Sequence, residues 1–279
     1  MFQVKDLTKV LESLPEDDNT ILIGGQALNV WTEYYSELDA ALTTHSPFFS
    51  NDIDFLGDKQ AATALHDAWK GTIKIPDMDT HTAMTAKLTF KLEDGRPVNV
   101  DFLEVMIGVD NYHIRKEALK INTPPSEKSV LVLHPAHCLA SRIYNTYGIL
   151  DRRTRYPGDH HVKRTRLAVK ILNHNLTDLF KRNDERASRQ AYRFIEYTAS
   201  LSCEDPAKRA FHLDNIDVLD AIPRNPELGI SEKFLTERLP RIQTYVAQKR
   251  KIYISNVQRI EQKRSSMQNQ QDHGYDREY

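Results

Sequence analysis

The chain has 279 residues, 40% of them hydrophobic, with 38 Lys and Arg against 39 Asp and Glu for a formal net charge of −1. That length and apolar content suffice to bury a sizeable core in one or two globular domains. No apolar run approaches membrane-spanning length and the opening MFQVKDLTKVLESLPEDD is too charged for a secretory signal, which argues against a membrane-spanning or exported protein and leaves a cytoplasmic one as the expectation.

Val4, Leu7, Val10, Leu11 and Leu14 recur at helical spacing and predict an amphipathic first helix. Thr20–Ile23 reads as a short strand stopped by Gly24-Gly25, with a second helix from about Gln26 towards Leu38. A loop over Thr43–Ser50 leads into a strand at Asp52-Ile53-Asp54. A helix over 59–70 and a strand near Thr72–Ile75 come next.

Residues 84–105 predict a β-hairpin around Glu93-Asp94-Gly95. A three-residue loop with Gly95 left-handed pairs Phe90 with Val98, Leu88 with Val100 and Ala86 with Phe102, which keeps the apolar residues on one face. The same register sets Lys87 across from Asp101. Ser129–Leu133 is the last expected strand. Beyond it the pattern turns helical over 135–147, 161–181, 186–203 and 231–264, with a loop-rich stretch around Ile222–Gly229. The expected organisation is an α/β part over 1–130, a helical part over 131–265 and a disordered tail over 266–279.

Charge divides along the same line. Residues 1–125 carry 11 Lys and Arg against 20 Asp and Glu, whereas residues 126–279 carry 27 against 19. A basic half suits a polyanion; a solvated helical surface rich in Lys and Arg gives the same count. Cys138 and Cys203 have neither metal-ligand spacing nor a disulfide framework and read as small core residues.

The chemistry centres on three carboxylates behind a glycine pair. In an extended segment Asp52 and Asp54 project from one face while Ile53 and Phe55 enter the other, and Asp101 repeats the arrangement between Val100 and Phe102. Such a set can hold hard divalent cations, and glycines between a strand and a helix let backbone N–H groups approach a phosphate. The segment after residue 150 adds Arg152, Arg153, Lys163 and Arg164 near Tyr156, a composition that can contact a phosphate backbone, and Arg142 lies in the helix before it.

The order ILIGGQALNVW, SNDIDFLG, VNVDFLE resembles the nucleotidyltransferase superfamily related to DNA polymerase beta, and within it the AbiEii-type abortive-infection proteins. The resemblance covers roughly residues 15–135. It implies an α+β fold, with a small mixed sheet, flanking helices and a helical C-terminal part. It also implies Mg²⁺, in a two-ion site on Asp52, Asp54 and Asp101, and an NTP, for which the candidate contacts in this chain are Gly24, Gly25, Gln26, Ser50 and, from the hairpin register, Lys87. The implied reaction moves NMP from the NTP to an acceptor hydroxyl. Toxin members of the group modify RNA, notably tRNA, which implies an RNA acceptor at Arg142, Arg152, Arg153, Lys163 and Arg164 and a cognate antitoxin as partner. Two other readings stay open: a small-molecule acceptor, as in antibiotic-modifying enzymes, and a catalytically silent nucleotide-binding module. Many superfamily members carry Gly-Ser at the first motif, where this chain has Gly24-Gly25 followed by Gln26.

Overall fold

A computed structural model describes residues 4–15, 19–45, 52–77, 79–122, 128–149 and 160–275. The fold is α+β: a seven-stranded mixed sheet with flanking helices, followed by a helical C-terminal part. Among the described residues no helix is long and apolar enough to cross a membrane.

The amphipathic α1 (Val4–Glu12) buries Leu7, Val10 and Leu11 and is followed by the buried Leu14. Strand β1 (Ile21–Ile23) is buried throughout and passes without a loop into α2 (Gly24–Ser36), so the glycine pair forms the first turn of the helix rather than a turn ahead of it. Strand β2 (Asp52–Leu56) leads to α3 (Lys59–Trp69), whose N-terminus is capped by Asp58 Oδ1 accepting from the Ala61 N–H at 3.0 Å. Then come β3 (Thr72–Lys74), β4 (Met84–Lys91) and β5 (Pro97–Leu103).

The β4–β5 hairpin has the expected register, with Phe90 opposite Val98, Leu88 opposite Val100, Ala86 opposite Phe102 and Lys87 opposite Asp101. Gly95 takes φ +81° as the three-residue loop requires, and its N–H donates to the Leu92 carbonyl at 2.8 Å.

Two further elements have no counterpart in the sequence reading: α4 (Asn111–Glu117), capped by Asp110, and β6 (Leu119–Asn122). Both are short, and only Leu119 and Ile121 of β6 alternate inward, which leaves little periodicity to read. Strand β7 (Ser129–Val132) and α5 (Pro135–Ile143) complete the sheet region. Strand order is β3-β4-β5-β2-β1-β7-β6; β2 with β5 and β1 with β7 are parallel and the other neighbours antiparallel.

The chain divides into two compact units, residues 1–175 and 176–279, rather than near residue 130. The reason is that β7 and the helical residues after it, as far as His174, belong to the packing of the sheet region. Trp31 Nε1 donates to the Leu133 carbonyl at 2.8 Å, α2 packs on α5, and Tyr35 stacks on His174 with ring centroids 5.6 Å apart. α5 gives way to a π-helical turn over Tyr144–Gly148, and α6 (His160–Lys181) carries the chain across the division.

The second unit holds α7 (Glu185–Ser202), α8 (Asp205–Asp214) and α9 (Leu239–Tyr275). Pro206 in the first turn of α8 suits a helix start, a signal that the sequence reading missed. Arg250 pairs with both carboxylate oxygens of Asp217 and lies over the Phe211 ring at 4.0 Å, tying α9 to its neighbours. α9 continues through Tyr275, so the segment from 266, expected to be disordered, is helical up to that residue. A helix closes its own backbone hydrogen bonds, and the glutamines of this segment are fair helix formers.

A Cβ added at Gly95 meets no atom within 4 Å. Gly95→Ala should therefore cost only left-handed backbone strain, roughly 1–2 kcal/mol in urea unfolding, and Gly95→Asn should cost less.

Candidate active site

The site is built by register. Strands β2 and β5 run parallel with Asp54 opposite Asp101 and Asp52 opposite Asn99, while Lys87 stands across from Asp101 on the other side. Alternation then sorts the faces. Ile53, Phe55, Val100, Phe102, Leu88 and Phe90 are buried on one, with the Phe55 and Phe102 rings stacked at 5.3 Å, and the acids lie on the other.

Gly24 closes the site from β1. Its φ is +67°, and a Cβ built there would fall inside the van der Waals envelope of Asp54 Oδ2 and 2.9 Å from Cγ. Only glycine fits both the left-handed conformation and the approach. Ile23 pairs with Asp54 in the β1–β2 ladder, so the start of α2 and the Asp54 carboxylate are held together.

Electrostatics at Asp54 are strained. Its carboxyl is raised from 3.8 to about 6, chiefly because burial removes water and next because Asp101 carries like charge; Asp52 adds to this, while Arg142 and Lys87 oppose it. Lys87 Nζ lies 3.4 Å from Asp101 Oδ1, yet that oxygen is buried and receives no hydrogen bond. Asp52 is exposed and held by a chain in which Thr89 Oγ1 donates to Asn99 Oδ1 at 3.0 Å and Asn99 Nδ2 donates to Asp52 Oδ1 at 3.1 Å. Thr89 escaped the sequence reading although the hairpin register already places it across from Asn99.

Arg142, at the end of α5, and Arg164, on α6, both interact electrostatically with Asp54. Burial lowers the Arg164 guanidinium, the Arg142 charge lowers it further, and Asp54 opposes both. Two of the five residues proposed for an acceptor are thus gathered at the acids. Lys163 is exposed on α6. Ser50, Arg152 and Arg153 lie outside the described residues. Gly25 is buried in the first turn of α2. Gln26, expected at a phosphate, is turned inward: it is 4% exposed and its Oε1 accepts from Asn29 Nδ2 at 3.0 Å, because its position in α2 points to the core.

Among the described residues, no group of three or more His, Cys, Asp or Glu is closed up around a metal position. Of the three expected carboxylates, Asp54 and Asp101 are direct partners in the ladder, and Asp52 lies two residues along β2 on the same face, where its Oδ1 accepts from Asn99. The donor chemistry still suits a hard divalent cation. The acids share one face, Asp54 is pushed towards neutrality by burial and like charge, and Asp101 presents a buried oxygen without a hydrogen bond.

No family model matches the chain, and no curated protein is similar to it. Among solved structures, JHP933 from Helicobacter pylori is similar at 10% identity and a TM-score of 0.35, over 95% of this chain and 96% of that one.

The geometry carries two expected outcomes. Gly24→Ala should destabilise strongly, by more than about 2 kcal/mol, whereas in an Asp54→Gly background it should cost mainly backbone strain; the coupling is read from a double-mutant cycle in urea. Because the native Asp54 carboxyl stands above its ordinary 3.8, it contributes stability that is complete below that pH and lost as pH rises through about 6. Asp54→Asn should then unfold a few degrees above the parent at pH 8 and level with it near pH 4.

Proposed function

We propose that this protein is a Mg²⁺-dependent nucleotidyltransferase that moves NMP from an NTP to an acceptor hydroxyl, with RNA as the acceptor. The observation that supports this best is the in-register pair Asp54 and Asp101 beside a glycine start of α2 that leaves no room for a Cβ. Asp52, Asp54 and Asp101 are the residues that would hold the metal. When bound, Mg²⁺ supplies positive charge against the phosphates and the departing pyrophosphate.

The chain's own groups divide the remaining work. The first turn of α2 presents backbone N–H groups at its positive end to the triphosphate. Lys87 stands beside Asp101 and offsets phosphate charge. Asp101 takes the proton of the attacking hydroxyl as the oxygen bonds to the α-phosphorus and the bond from that phosphorus to the bridging oxygen breaks, releasing pyrophosphate. Arg142 and Arg164, gathered at Asp54, suit an anionic acceptor better than a neutral one.

Incubation of the purified chain with each labelled NTP, Mg²⁺ and total RNA tests the reading. Label should enter RNA, and Asp54→Ala or Asp101→Ala should reduce incorporation by about a hundredfold or more. Label in small molecules alone would replace the acceptor, and no incorporation with any NTP would overturn the activity.

A further inference from the structure

The C-terminal helix carries a second feature that the acidic site does not use. Between Glu237 and Glu261 the sequence contains no Asp or Glu, while it holds five Lys and Arg beyond Arg238. At 100° per residue, Arg241, Tyr245, Lys249, Ile252, Arg259 and Lys263 fall within a stripe about 80° wide. The stripe runs along α9 for about 33 Å at 1.5 Å per residue. Ile242, Val246 and Arg250, which bury the helix in its own unit, lie to one side of it.

The stripe faces outward. Arg241, Arg259 and Lys263 are exposed, as are Tyr245 and Ile252 at 54% and 58%, and Lys249 is half-buried. Lys249 Nζ stands over the Tyr245 ring at 5.2 Å, so a cation and an aromatic face are offered together. Among the described residues none of the four cations is in an ion pair. Elsewhere in the same unit five basic residues have carboxylate partners: Arg238 with Glu196, Arg250 with Asp217, Lys208 with Asp205, Arg224 with Asp220 and Arg189 with Glu185. A solvated helix surface mixes the two signs, and this stripe does not.

We propose that this stripe of α9 is a docking surface for the phosphate backbone of a nucleic acid, with Arg241, Lys249, Arg259 and Lys263 on phosphates and Tyr245 stacking on a base. The proposal rests on the RNA acceptor of the reading above for its biological use, but its binding is independent of the transfer chemistry. Cations spaced along a rod match a polyanion, and the exposed ring explains why a tyrosine interrupts them.

The test measures fluorescence anisotropy of a labelled 20-nucleotide single-stranded RNA with the full chain, without Mg²⁺ or NTP, across a salt series. Four phosphate contacts contribute about −2.8 to the slope of log K against log salt. The quadruple variant R241Q/K249Q/R259Q/K263Q should lose about that much slope and bind at least tenfold more weakly at low salt. Glutamine keeps the helix, which circular dichroism checks. The charge-matched control R182Q/R186Q/R189Q/R224Q should keep the parent slope. Tyr245→Ala should weaken binding about fivefold or more and Tyr245→Phe should restore it.

Equal effects of the two quadruple variants would reduce the stripe to net charge and overturn the proposal. So would absence of RNA binding, or poly-glutamate competing as well as RNA, which would assign the stripe to an acidic protein. Binding that persists in a chain inactive with every NTP would overturn the transferase reading alone. Transfer to RNA that survives the stripe variant with an unchanged RNA affinity would overturn the stripe alone.

Discussion

The close approach of Gly24 to Asp54 is the constraint on which the polar face of the sheet depends. Without a Cβ and with a left-handed φ, the chain passes from β1 straight into α2 and sets the start of that helix against a carboxylate. The parallel β2–β5 ladder then fixes Asp101 beside Asp54, and the antiparallel hairpin fixes Lys87 beside Asp101. Burial and like charge make that assembly costly, as the raised Asp54 carboxyl records. Arg142 and Lys87 offset only part of the cost. A site of this kind holds charge that the fold alone would not choose.

The same strands supply the stability. Phe55 and Phe102 stack, and Ile53, Val100, Leu88 and Phe90 fill the opposite face. Side chains alternate with period two, so a slip of one residue in either ladder would bury the acids and expose the aromatics together. Core packing therefore enforces the alignment of the polar groups. Asp52 differs in kind: it sits at the start of β2 and owes its position to Asn99 and Thr89 rather than to the core.

Much of this was legible in the sequence because strong local patterns carried it. The apolar alternation over Ala86–Phe90 and Val98–Phe102 admits one sensible hairpin register, and that register places Lys87 and Asp101 correctly. Gly24-Gly25 announced a tight passage from strand to helix. What escaped depends on distant partners. Gln26 comes directly after the glycines in sequence, yet its direction is set by the packing of α2, which turns it inward. The boundary near residue 130 tracked a change of local pattern, while the true division depends on Trp31 reaching Leu133 and Tyr35 reaching His174. Short elements such as β6 owe their existence to a neighbour rather than to their own four residues.

The position of β7 has a consequence for the chain as it is made. β1 lies between β2 and β7, and its three residues, Ile21, Leu22 and Ile23, are all fully buried. Residues paired across β1 and β7, such as Ile21 and Leu131, are separated by more than a hundred positions. At synthesis rates of about 5–20 residues per second, β1 remains an apolar edge for roughly 5–20 s after it emerges. An uncovered edge of that kind invites pairing with another chain. The finished sheet ends differently. Its outer strand, β6, is short and half-exposed and carries Lys120 and Asn122, which give a neighbouring chain little to extend. The strands that arrive last thus exchange a sticky margin for a guarded one.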